Sequence, residues 1–350
     1  MISRVADHCF WLGRYLERAE STARVLMVTH GLALDGELPA AQVWGPAVTV
    51  SGEDKAFAER LGVEARGDGE AVQEYLTWAE ENLVSISRSV QAARENARSI
   101  REVVSLEAWE ALNALHVWMR DGAGRAQYEE GREAFYRHVR QAVQLVLGTV
   151  RSTMLHDNAF DFISLGVFLE RVGQTARLLD VHHHALTRLQ AHPVLEESLW
   201  LSLLRACSGF EPYMRSHVGR VTPTSVAAFL LLEPRFPRSV TFGLRHAAER
   251  LDNLRPVGGE AALPGSEAQR RLWELERWLA ALTPEHVAST DLHALLTHVV
   301  EETGAVCADV QRELLAAPPP RLAVVKAAPV LAPAQAQSQA QGAQTQSQCA

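Results

Sequence analysis

Lysine is almost missing from this chain. It occurs only at Lys55 and Lys326, so nearly all of the 34 basic residues are arginine. GC-rich coding alone explains such a bias, although arginine also favours forked contacts to carboxylates and phosphates. The four cysteines, Cys9, Cys207, Cys307 and Cys349, are far apart and form no Cys-x-x-Cys pair. That argues against a disulfide framework or a cysteine zinc site and suits a reducing cytoplasm. No uncharged run reaches the roughly 18 residues that a membrane span needs. The first apolar stretch is broken by Arg4, Asp7, Arg14, Glu17 and Arg18, so it does not read as a signal peptide.

Several functional signatures are also absent. There is no G-x-x-x-x-G-K-S/T loop, no G-x-G-x-x-G stretch and no G-x-S-x-G elbow, so neither nucleotide binding nor that serine-hydrolase arrangement is signalled. Without a Glu-x-x-His, the chain lacks the mark of a di-iron bundle. His182, His183 and His184 are consecutive and would point three ways from a helix, which suits packing or solvation better than metal binding. No cofactor or metal is therefore expected. The formal charge is −8, and the only charges after Pro318 are Arg321 and Lys326, so the rest of the chain is more acidic still. A net negative surface disfavours nucleic acid as a partner.

What is present is helical periodicity, in an ordinary globular composition of 47% hydrophobic and 22% charged residues. Apolar residues recur at three- and four-residue spacing near 5–33, 71–82, 86–103, 106–120, 128–155 and 158–190. The same pattern continues near 195–207, 222–232, 238–253, 266–282 and 289–316. Ser105 stands where a helix cap is expected. Residues 36–68 are richer in Gly and Pro and predict a long excursion with one short helix; Val48-Thr49-Val50 is the best, weak, strand candidate. From Pro318 the chain becomes a tract of Ala, Pro, Gln and Ser, expected to be disordered.

The chain is also internally repeated. LGRYLERAESTARVL at 12–26 and LGVFLERVGQTARLL at 165–179 agree at nine of fifteen positions, 153 residues apart. A second block recurs 154 residues apart: Tyr75-Leu76 with Phe229-Leu230, Ser85-Ile86 with Ser239-Val240, Ala93 with Ala247, and Glu95 with Glu249. Near-equal offsets mean that a whole unit was duplicated, not one helix. The expected architecture is all-α: a tandem-duplicated helical bundle with pseudo-twofold related halves. Residues 1–157 form the first repeat, 158–317 the second, packed with the first, and 318–350 a disordered C-terminal tail.

On a helical wheel, Leu12, Leu16, Ala19, Ala23 and Leu26 share one broad apolar face, which is core. Gly13, Glu17, Glu20 and Arg24 make a separate strip, matched by Gly166, Glu170, Gly173 and Arg177. A helical Gly costs about 1 kcal/mol against Ala, so keeping it in both copies implies another backbone close by. Glu17, one turn further on, would enter that contact and need partners. Glu17 and Arg18 are adjacent, hence about 100° apart, and should not pair with each other. Arg24, Arg177, Arg94 and Arg98 are the candidate partners. The candidate network is therefore Glu17, Arg18, Arg24, Glu170, Arg171 and Arg177, with Arg94, Glu95, Asn96, Arg98 and Arg101 on a second helix. A buried ion-pair network that fixes register is the favoured role. Acid/base or carboxylate-binding chemistry is the rival, and it predicts a pocket joining Glu17 or Glu170 to the arginines of 94–101.

At these residues the chain resembles the bacterial Alpha-E family. The motif stands as Leu16-Glu17-Arg18-Ala19 and Leu169-Glu170-Arg171-Val172, and Ala93–Asn113 and Phe229–Val240 are also similar to the family. The resemblance spans roughly residues 1–315. It implies a helical fold, typically a tandem duplication, and a genomic setting of peptide synthesis or modification. Circularly permuted ATP-grasp ligases, transglutaminase-like proteins and an NTN-hydrolase-type peptidase are the implied neighbours. The expected role is accessory or scaffolding, binding the ligase-like partner or its peptide substrate. The alternative is an enzyme of that system using the Glu-Arg pairs.

Overall fold

The computed structural model describes residues 3–35, 38–189, 193–254 and 265–316. The Pro-rich tail expected to be disordered lies outside them. The chain from Met1 to Ala317 clusters as one compact unit. Among the described residues there are sixteen α-helices and no strand.

The first eight helices are α1 (Ser3–Asp35), α2 (Ala40–Ser51), α3 (Asp54–Leu61), α4 (Gly69–Thr77), α5 (Ile86–Ser99), α6 (Leu106–Arg120), α7 (Ala123–Glu130) and α8 (Arg132–Thr153). The rest are α9 (Asn158–Leu189), α10 (Pro193–Ala206), α11 (Phe210–Ser216), α12 (Pro223–Leu232), α13 (Val240–Leu254), α14 (Ser266–Ala280), α15 (Pro284–Ser289) and α16 (Leu292–Val310). A 3₁₀ turn spans Val63–Gly67 and a π turn spans Gln311–Leu315.

Each long helix sits in a four-helix ring. In the first, α1 packs on α5 and α8, and α6 closes the ring between them. In the second, α9 packs on α13 and α16, with α14 between them. Apolar spacing makes these faces: Ile86, Val90, Ala93 and Ala97 are the buried stripe of α5, and Phe135, Val139, Val143, Val146 and Val150 that of α8. Capping sets the entries. Ser85 and Ser105 accept backbone N–H bonds at the starts of α5 and α6, and Asp291 does so for α16. In α12 all six residues from Val226 to Leu231 are buried, so this helix is enclosed on every side.

Residues 36–68 differ from expectation. They carry two helices and a 3₁₀ turn, and Val48-Thr49-Val50 is the last turn of α2 rather than a strand. Val43, Trp44, Ala47 and Val48 bury one helical face despite Pro46 inside the helix. Packing here overrides the loss of one intrahelical bond.

The rings meet where α1 crosses α9. A Cβ on Gly13 would lie 2.0 Å from the carbonyl oxygen of Ile163, and one on Gly166 would lie 2.2 Å from that of Phe10. Backbone therefore touches backbone, reciprocally, at the repeated glycines. Only glycine permits this approach.

Candidate functional site: two crossed Glu-Arg clamps

One turn beyond that glycine contact, each repeated glutamate reaches the opposite long helix. Arg171 donates through Nε (3.0 Å) and Nη2 (2.6 Å) to the two carboxylate oxygens of Glu17. Arg18 donates through the same two nitrogens to Glu170, at 2.8 and 3.1 Å. The motif is thus exchanged: each Glu is held by the other copy's Arg. Neighbouring guanidiniums complete the clamps. Arg238 adds a 3.0 Å bond to Glu17, and Arg14 adds bonds of 2.8 and 2.6 Å to Glu170. Both carboxylates are shut away from solvent, Glu17 at 0% and Glu170 at 2% exposure.

The first clamp holds a second carboxylate. Glu20 receives Arg24 and Arg238, and Gln144 donates to it at 2.9 Å. Arg24 also bonds Ser208, which sits at φ 52° in the turn after α10. Burial alone would push the Glu20 carboxyl up, but Arg238, Arg24 and then Arg171 outweigh it and bring it down to about 2. Burial likewise opposes ionisation of Glu170, yet Arg18 and Arg14 hold it well below the usual carboxylate range. In both groups the neighbouring guanidiniums favour the ionised carboxylate.

Arg24 and Arg177, both named as glutamate partners, behave differently. Arg24 pairs with Glu20 on its own helix. Among the described residues Arg177 makes no hydrogen bond and its Nε is closed off from solvent without a partner, and it lies near enough to Glu170 to feel its charge. Burial lowers its pKa, and the charges of Arg18 and Arg14 lower it further. Arg14, Arg18, Glu170 and Arg177 border a cavity of about 230 Å³.

Arg94, Arg98 and Arg101 are not part of either clamp. Arg94 and Arg98 both bond Glu95, and Arg94 reaches Asn113 at 3.0 Å. Helix α5 ends at Ser99, so Arg101 lies beyond it; its guanidinium stacks 4.5 Å from the Trp109 ring, and that of Arg94 lies 5.5 Å from the same ring. Asn96 pairs with His8 at 2.7 Å. A local Glu and an aromatic face satisfy these arginines before any distant carboxylate can. The residues that sequence reasoning missed are Arg14, Glu20 and Arg238. Arg14 and Arg238 do carry a signal, because the repeat offsets align them with Val167 and Val84, the kind of mismatch that marks a one-copy role.

Of the histidines, His182 is half-buried with Nδ1 2.9 Å from the Leu178 carbonyl, and desolvation brings it down to about 4. His293 pairs with Asp180 at 2.7 Å. Among the described residues no group of three or more His, Cys, Asp or Glu is placed to hold a metal ion. A further cavity of about 500 Å³ lies against α8, α9 and α13, with Phe160, Phe168 and Phe242 on its apolar side and Arg171, Glu249 and Arg250 on its polar side. No helix among the described residues is long and apolar enough to cross a membrane.

Fold and site together define a class: helical proteins in which a repeated Glu-Arg motif is cross-bonded between two long helices. The chain belongs to the Alpha-E family, a predicted alpha-helical domain with a conserved ER motif, whose model matches residues 1–315. It is similar to the uncharacterised proteins Mb2597 of Mycobacterium bovis and Rv2567 of Mycobacterium tuberculosis. With each it is 24% identical over 314 residues, covering 85% of this chain and 34% of the relative. The chain thus spans about a third of the length of these curated relatives. No solved structure matches it.

Proposed function

We propose that this protein is a cytoplasmic, non-catalytic binding component of a bacterial peptide synthesis or modification system. It holds an ATP-grasp ligase-like partner, with a transglutaminase-like protein in the same system, or it holds the peptide substrate. The observation that carries the non-catalytic part is the state of the motif: both glutamates are buried, forked by guanidiniums and committed to packing. A buried ion network of this kind fixes helix register rather than turning over substrate. The peptide setting rests on the family resemblance. The length of the Mycobacterium relatives supports a component that works joined to other parts, since the matched region is about a third of those chains.

Two experiments test this proposal. Affinity capture of the full chain from its native host should recover a ligase-like protein or a peptide; recovery of neither rejects the accessory role. For the enzyme alternative, Glu17→Gln is decisive. The scaffold reading expects loss of stability and of partner binding together. A Glu17→Gln protein that melts like the parent yet loses a measurable activity would establish catalysis instead.

A further inference from the structure

The two clamps differ in both directions: Arg14, which bonds Glu170, aligns with Val167, whereas three other differences each take a group away from the second clamp. Glu20 fills the first; the repeat aligns it with Gly173. Arg238 bridges Glu17 and Glu20; the second block aligns it with Val84. Ser208, with positive φ in the turn after α10, bonds Arg24. The residue in the corresponding place after α2 is Gly52, at φ 81°, which has no side chain to offer Arg177.

Where those groups are missing lies the cavity of about 230 Å³, bordered by Arg14, Arg18, Val84, Gly52, Glu170 and Arg177. Three guanidiniums face one carboxylate there. Arg14 and Arg18 are already engaged by Glu170. Arg177, the counterpart of Arg24, is not: both have an orphaned Nε, but Arg24 is held through its two Nη atoms by Ser208 and Glu20, and among the described residues Arg177 has no such partner. A largely buried cation with an unused donor is costly unless something answers it.

We propose that this cavity binds the carboxylate of an amino acid or peptide end, which takes the place beside Arg177 that Glu20 occupies beside Arg24. A carboxylate is favoured over phosphate because a carboxylate is what answers the matching arginine. The volume falls below the roughly 300–1,000 Å³ of drug-sized pockets, so one residue fits, not a length of chain. The inference deepens the binding role proposed above and rests on it for the expectation that the ligand is a peptide.

Calorimetric titration of the full chain tests the site directly. The probes are L-glutamate, a short peptide with a free C-terminus, the same peptide C-terminally amidated, and inorganic phosphate. The free-acid peptide should bind. Losing that binding on amidation assigns a peptide end, and equal binding of L-glutamate assigns a free amino acid. Arg177→Gln should weaken the bound probe at least tenfold without lowering Tm, since among the described residues Arg177 has no hydrogen bond to lose. Gly173→Glu should abolish binding while raising Tm, because it restores the missing carboxylate from within; the atoms nearest a Cβ at Gly173 are those of the Arg177 guanidinium, the first at 3.4 Å. Phosphate binding more tightly than both carboxylate probes would overturn the carboxylate assignment. No binding of either, or binding unchanged in both variants, would overturn the site. Partner capture with Gly173→Glu separates the two proposals: a retained partner leaves the accessory role standing whatever the titration shows.

Discussion

The two clamps begin from the same Gly-x-x-x-Glu-Arg helix and end in different states. Around Glu17 every neighbouring cation has a carboxylate or hydroxyl, and Glu20 fills the place beside Arg24. Around Glu170 one arginine is left over and the space is open. The difference separates the motif's two jobs. Crossing the helices requires only the glycine, the glutamate and the arginine, which both copies share. Whatever lies one turn further, Glu20 or Gly173, is free to close the junction or to leave room in it.

The contrast is most directly strained by removing the glutamates. Glu17→Ala leaves Arg171 without its carboxylate and Arg238 with Glu20 alone, and should cost about 3–5 kcal/mol. Glu170→Ala should cost less, because water in the adjoining cavity can solvate Arg14 and Arg18. Urea unfolding of both variants decides it; equal or reversed losses would mean that the two clamps are equally dry. Next come the glycines. Gly13→Ala and Gly166→Ala each force a Cβ onto a carbonyl and should cost about 1–3 kcal/mol apiece. Gly31, with nothing near its Cβ position, is the control, and Gly31→Ala should be neutral or stabilising. A tolerated Gly13→Ala would refute the close crossing.

Acid should also distinguish the halves. His182 of α9 stands where α1 has Thr29. Burial lowers its folded pKa to about 4, so the unfolded chain takes up the proton first. The stability it contributes is therefore complete above about pH 6.5 and is lost as pH falls toward 4, by up to about 1.4 kcal/mol per pH unit. Glu20, held at about 2, withdraws its contribution only below the ordinary carboxylate range. Melting temperature followed against pH should fall in the upper window for the parent and less so for His182→Gln; identical profiles would remove His182 from the account. The smallest effect is the gain expected from Gly173→Glu, about 0.5 kcal/mol from helix propensity alone, visible as a raised melting temperature.

Much of the helical frame can be read from the sequence. The periodicity of α1 and α9 gives both long helices, and the repeated Gly13 and Gly166 point to a close backbone contact. The adjacency of Glu17 and Arg18 already forbids a local pair. What periodicity cannot supply is partners 152–221 residues away along the chain. Arg94 and Arg98 look available by helical spacing, but Glu95 and Trp109 satisfy them locally. Residues 36–68 read as loop because Gly45 and Pro46 weaken the helical signal, whereas burial of Trp44 and Val48 holds α2 in place. The open second clamp is written in the chain only as mismatches within the repeat, which look like drift until the structure places them together.

The glycine crossing has one more consequence. A contact made of main chain has no rotamers, so it offers no alternative fit. Sliding α1 along α9 by one residue, about 1.5 Å, would bring Leu12 or Arg14 onto a carbonyl that accepts only hydrogen. The crossing therefore works as an index mark. It fixes the phase of two long rods before any charge is paired, and the four guanidiniums one turn away find their carboxylates already in step.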